Sequence, residues 1–153
     1  MILIDSINQY GNNLLTKIPD LKKFFIVVDD SQVVKFLSDV TEDDNLMLFG
    51  YVPSHQSEGT NIDNVQNRDS MLWVVLNKID RNEGQQALID SFSRCQLAAL
   101  EIEKIMLQDK PNFGGPCSLM RQLQITSIKI DPVYALAGCD GYEINYELLT
   151  PIY

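Results

Sequence analysis

Histidine is almost absent: the 153 residues contain one, His55. A cysteine or serine nucleophile needs a general base, so His55 would have to serve any such site. With Cys117 or Cys139 and one of the aspartates it makes the one triad the composition allows, and no G-x-S-x-G elbow accompanies it. Its setting in the polar stretch from Ser54 to Asp69 predicts a solvated side chain instead. Close cysteine pairs are missing too. Cys95, Cys117 and Cys139 lack the two-to-four-residue spacing that structural zinc sites use. They cannot all pair within one chain, and Cys95 falls on an apolar helix face, which predicts free thiols in a reducing compartment. No metal or cofactor is expected.

Basic residues are scarce, 12 against 21 acidic, for a net charge of −9, and the largest basic cluster is the pair Lys22 and Lys23. Such a surface repels phosphate backbones and anionic membranes, so direct nucleic-acid binding is not expected. No apolar run reaches the roughly 18 to 20 residues of a membrane span. The start MILIDSINQYGNN also lacks the basic region and small-residue cleavage site of a signal peptide. A soluble, unexported, cytoplasmic protein is the expectation. Neither glycine-rich phosphate-loop pattern occurs, and Pro116 after Gly114 and Gly115 removes an N–H from any anion nest, which leaves a turn. The acidic pairs Asp29/Asp30 and Asp43/Asp44 lack the alternating spacing of a calcium loop and read as helix caps and solvated turns.

The composition, 45% hydrophobic and 22% charged, suits one domain spanning residues 1–153. Its dominant feature is a helix expected from Asp80 to Pro111. Leu88, Phe92, Cys95, Ala99, Ile102 and Met106 recur at steps of four and three and form one core-facing stripe. Asp80 and Glu83 have the form of a capping box, with Asn82 as the other candidate N-cap, and Pro111 stops the run. A second strip, Ile89, Leu97, Leu100 and Leu107, lies around the cylinder from the first. Either the N-terminal helices cover it or a partner does.

Around this helix, residues 2–18 predict an amphipathic helix weakened by Gly11, and Phe24–Val28 a strand. A helix follows, capped by Asp29, Asp30 or Ser31, and then a strand over Leu46–Val52. Ser54–Asp69 has only Ile62 and Val65 as large apolar residues and predicts an exposed loop or mobile hairpin suited to contacting a partner. Met71–Ile79 is apolar on both alternating sets, as in a strand buried on both faces. Gln122–Ile130 reads as a strand with a bulge near Thr126 and Ser127, DPVYALAGCDG as a connector, and Tyr142–Leu149 as an antiparallel strand with Glu143, Asn145 and Glu147 on its wet face. The fold class is α+β: a mixed or mainly antiparallel sheet against one long helix at about 81–110, with smaller N-terminal helices.

The succession MLWVVLNKID, EGQQALIDSFSRCQLAALEIEKIMLQD, QITSIKIDPVY and GCDGYEINYELLT resembles small structural proteins of tailed phages and prophages, of the tail-terminator or head-to-tail joining kind. The resemblance spans residues 69–149 and implies a non-enzymatic, ring-forming assembly role with homo-oligomeric contacts, in a virion if the chain is phage-derived. It carries no functional residue across. The expected interface comprises Ile62, Val65, Ile89, Leu97, Leu100 and Leu107, together with part of a sheet edge. Two other readings stay open. One is a small-ligand or enzymatic domain with a pocket near Cys117, Cys139 and the tyrosines Tyr134, Tyr142, Tyr146 and Tyr153. The other is a monomeric accessory domain that binds another protein through residues 54–69.

Overall fold

A computed structural model describes residues 1–112 and 114–151. Tyr153 lies outside the described residues. The described chain holds α1 (Ile4–Lys17), β1 (Lys23–Val27), α2 (Asp30–Leu37), β2 (Met47–Tyr51), β3 (Ser54–Glu58), β4 (Gln66–Lys78), α3 (Gln85–Asp109), β5 (Lys129–Leu136) and β6 (Cys139–Pro151). The sheet order is β1-β2-β4-β6-β5, with β3 also on β4. β1 and β2 pair in parallel with α2 between them in sequence, and every other pairing is antiparallel. The chain is a single α+β domain with a mixed sheet.

β4 is the axis of that sheet because its sequence is apolar on both faces. Met71, Trp73 and Val75 join Tyr10 and Leu14 of α1 and Cys95, Ala99, Ile102 and Met106 of α3 in the larger core. Val74 and Leu76 point the other way, into a second core with Val33 and Leu37 of α2 and Phe49 of β2. Trp73 is the hub of the first core, with its ring 6.2 Å from Tyr10, 5.9 Å from Phe24 and 6.5 Å from Tyr146. Gly50 faces it across β2 because a Cβ there would stand 2.5 Å from the indole.

Along its other flank β4 carries first β2 and then β3. Gly50 pairs with Trp73 and Ser54 with Ser70, so Tyr51, Val52 and Pro53 stand opposite only Leu72 and Met71. That extra residue is a bulge, placed where Pro53 has no N–H to give. Ser54–Asp69 is therefore the hairpin alternative rather than an open loop. It forms because backbone pairing to β4, not apolar burial, holds it: Arg68 reaches Glu58 of β3 through Nε at 2.9 Å and Nη2 at 3.0 Å, and also bonds Glu147 of β6.

Three further expectations change. The long helix does not begin at Asp80; its carboxylate accepts from Asn82 N at 2.9 Å and caps a 3-10 turn, Arg81–Glu83, before α3 proper starts. Gly84, at φ +86°, makes the break, a backbone state that an L side chain resists. Of Gln122–Ile130 only Lys129 and Ile130 are strand, as the start of β5. Gly115–Gln122 and Ile125–Ser127 are 3-10 segments, and the change of phase near Thr126 is the second of these turns rather than a bulge. The expected connector instead carries most of β5, whose pairing to β6 slips between Val133 and Leu136. The caps stand as expected. Asp29 accepts from Ser31 N and Gln32 N, while Thr41 and Asp44 close a capping box that also holds Lys23 at 2.8 Å.

Candidate interaction surface

α3 presents two apolar faces, and the fold covers only one. Cys95, Ala99, Ile102 and Met106 are fully buried against the sheet, with Leu88 and Phe92 half-buried toward the first turns. On the outer side Ile89, Leu97, Leu100 and Leu107 are 47, 68, 48 and 37% exposed. The N-terminal helices do not reach them: α1 packs on β1, β2 and the Gly115–Gln122 segment, and α2 lies across the opposite face of the sheet. At 1.5 Å per residue the strip from Ile89 to Leu107 runs about 27 Å. Its C-terminal half borders a shallow groove of about 440 Å³ lined by Leu100, Glu103, Lys104, Leu107 and Gln108. Water against such a face is replaced favourably by any apolar partner, at about 25 cal/mol per Å² of apolar area.

The second expected contact region lies at the tip of the β3–β4 hairpin. Ile62 is 91% exposed, and Val65 is half-buried beside it. A 3-10 turn, Ile62–Asn64, shapes this tip, and Gly59 sits so close to Asn64 that a Cβ would meet its carbonyl oxygen at 2.4 Å.

His55 is not the freely solvated side chain its neighbours suggest. Its Nδ1 lies 2.9 Å from Oδ1 of Asp69, a fully buried carboxylate on β4, because the hairpin register sets the two residues opposite each other. The cysteines sit on separate elements. Cys139 is buried at the start of β6 in the core beneath α2. Cys117 lies on the Gly115–Gln122 segment, its sulfur 3.9 Å from Nζ of Lys17. Cys95 is buried in the larger core, its thiol against the backbone oxygen of Asp140 at 3.7 Å. Burial pushes the Cys95 thiol up to about 12 and that of Cys139 up to about 11, and burial followed by Asp109 raises Cys117 as well. All three hold their protons at neutral pH, whereas the thiolate is the nucleophilic form. No group of three or more His, Cys, Asp or Glu among the described residues is arranged to hold a metal ion.

The tyrosines also scatter. Tyr146 is buried beside Trp73, and Tyr142 is half-buried, edge-on to Phe92 at 6.1 Å. Tyr134 is exposed under the Arg81 guanidinium at 4.9 Å and borders a cleft of about 320 Å³ with Arg81 and Leu88. None of the cysteines, nor His55, lines that cleft.

Three buried carboxylates escape a reading by composition. Asp69 holds His55. Asp109 accepts from Tyr10 and, at 3.1 Å, from Lys17. Asp140 pairs with Arg81 at 2.9 Å and accepts from Ala135 N at 2.8 Å, which secures the strained turn where Ala135 and Ala137 take positive φ. A signal for each exists in the pattern: 69 continues 71, 73 and 75; 140 continues 144, 146 and 148; 109 continues 99, 102 and 106. Each acid occupies a position whose spacing already points inward.

Fold and surface together define a single-domain α+β protein with a mixed six-stranded sheet, stapled by buried carboxylates that bond partners nearer the surface, and carrying an uncovered apolar strip on its longest helix. No protein-family model matches the chain, and no curated protein matches it in sequence. No helix among the described residues is long and apolar enough to cross a membrane.

Proposed function

We propose that the chain is a non-catalytic structural protein that assembles with copies of itself through the outer face of α3. The observation that carries this reading is the strip Ile89, Leu97, Leu100 and Leu107, which no part of the described chain covers. Exposed apolar rows of this kind mark association surfaces in soluble proteins. The order of strand, helix and closing strands over residues 69–149 makes a phage or prophage tail or head-to-tail joining component the kind of assembly proposed. Light scattering across a range of concentrations tests it. A mass above that of one chain, rising with concentration, supports the reading, and a strict monomer at high concentration overturns it.

A second reading rests on Ile62. A side chain that large and that exposed at the hairpin tip suits a monomeric accessory domain that docks another protein there. Association that persists after the strip is made polar, and disappears when Ile62 becomes Ser, favours it.

A further inference from the structure

The outer face of α3 has a charge pattern as well as an apolar one, and the two together select a partner and an orientation. Gln86, Asp90, Ser93, Leu97, Leu100, Lys104 and Leu107 follow each other at alternating steps of four and three, the spacing of a helix–helix seam. Leu97 and Leu100 are its centre. Arg94 and Glu101 lie together along one flank, one turn before and one turn after that centre, and both are on the helix surface.

We infer that α3 pairs with α3 of a second copy, antiparallel, about a two-fold axis between Leu97 and Leu100. This rests on the self-assembly reading and adds to it the partner helix, the direction and the register. In an isologous contact each residue of one copy meets the corresponding residue of the other in exchange. Antiparallel pairing about this centre sets Leu97 on the second copy's Leu100, twice. It also sets Arg94 opposite the second copy's Glu101, twice, because in antiparallel pairs the same flank of each helix faces its own kind. Lys104 then falls within one turn of the second copy's Asp90, again with opposite sign.

The alternatives are less complementary. A parallel, in-register pair stacks Lys104 on Lys104 and Asp90 on Asp90, two like-charge layers in a seam of seven. Sliding the antiparallel pair by one heptad sets Glu101 against Glu101 in one direction and Arg94 against Arg94 in the other. Among the described residues Glu101 bonds Lys104, at 3.1 Å and exposed to solvent, so little is lost if it turns to Arg94 of the second copy.

The test is a charge-reversal cycle read by sedimentation and by thermal unfolding. Arg94→Glu and Glu101→Arg each place like charges at both symmetric positions and are expected to weaken self-association roughly tenfold. The double variant restores opposite signs and is expected to return to within about threefold of the parent. Unfolding midpoints that match the parent's at low protein concentration, where the copies are apart, show that each variant is folded, since both side chains are on the surface. If the parent chain self-associates but the single variants do so equally well, assembly uses another surface, and this pairing falls while self-assembly stands. Weakening without rescue in the double variant overturns the register. A parent chain that stays monomeric removes both.

Discussion

The phenol of Tyr10 donates to the carboxylate of Asp109 at 3.1 Å and ties the middle of α1 to the last turn of α3. Both groups are buried, and Lys17, about two turns along α1 from Tyr10, reaches the same carboxylate at 3.1 Å. One acid thus satisfies two donors from a neighbouring helix. Replacing Asp109 with Ala strands a phenol in the core and is expected to cost about 2 to 3 kcal/mol in urea unfolding. Tyr10→Phe removes the donor and leaves Lys17 on the acid, at about 1 kcal/mol. The double variant is expected to cost less than the sum, because both changes break one bond.

Leu97→Lys adds a charge to the exposed centre of the α3 strip and removes nothing from the core. The unfolding midpoint is expected to hold, while the mass seen by light scattering falls toward that of one chain. A drop in the midpoint at high protein concentration alone is the same effect, since association stabilises the folded state.

The β3–β4 hairpin is expected to divide into a dispensable tip and an indispensable stem. Replacing Gly59–Val65 with a two-residue Asn-Gly turn suits antiparallel strands and touches no buried group, so circular dichroism and the midpoint are expected to stay close to the parent. His55→Ala, in the stem, takes a partner from the fully buried Asp69 and is expected to cost about 1 to 3 kcal/mol.

Gly11 lies in mid-helix, where alanine is intrinsically better by about 1 kcal/mol. A Cβ there would stand 2.2 Å from the Phe24 ring, which is itself packed on Trp73. Gly11→Ala is therefore expected to destabilise the protein by about 1 to 2 kcal/mol, with the steric term outweighing propensity. Gly141→Ala is expected to be worse, about 3 kcal/mol, because its Cβ would meet the backbone oxygen of Val75 at 1.8 Å and a paired strand cannot step aside.

Alkali is expected to unfold the chain through its buried acids. Cys95 has its pKa raised from 9.0 to about 12 by burial. Burial, with Asp109 next, also pushes the Tyr10 phenol above its ordinary value. A group that keeps its proton longer when folded contributes stability that is whole below its unfolded pKa and is lost as pH climbs toward the folded one. The midpoint is thus expected to be flat up to about pH 9 and to fall between there and about 12. Cys95→Ala is expected to lower the plateau slightly and to make the fall shallower.

Elements with a strong period were legible from the residues alone. α1, α2, the two-faced β4, the wet face of β6 and the core stripe of α3 rest on spacing that repeats along the element, and β1 and β2 on short apolar runs. The β3–β4 hairpin was legible only as one of two alternatives, because a strand held by its neighbour's backbone needs no apolar side chains of its own, and Ser54–Glu58 has none. β5 was read too early in the chain, because Pro132 within it is a turn signal. The 3-10 segments between Gly115 and Ser127 share short stretches of β-like composition and separate from strand only when their local hydrogen bonds form, as Ile128 N does to Ile125 O.

By itself the sequence determined that α3 has two apolar faces, since helical spacing is a property of one segment. It also determined that the chain is short of bases and cations, since those are counts. Only the tertiary structure decided that the second of these faces is left uncovered. That depends on α1 settling against β1, β2 and the Gly115–Gln122 segment and on α2 taking the far side of the sheet. It likewise decided that the buried Asp69, Asp109 and Asp140 meet the more exposed His55, Lys17 and Arg81, because an acid on an inward position survives only where a distant part of the chain supplies its counterpart.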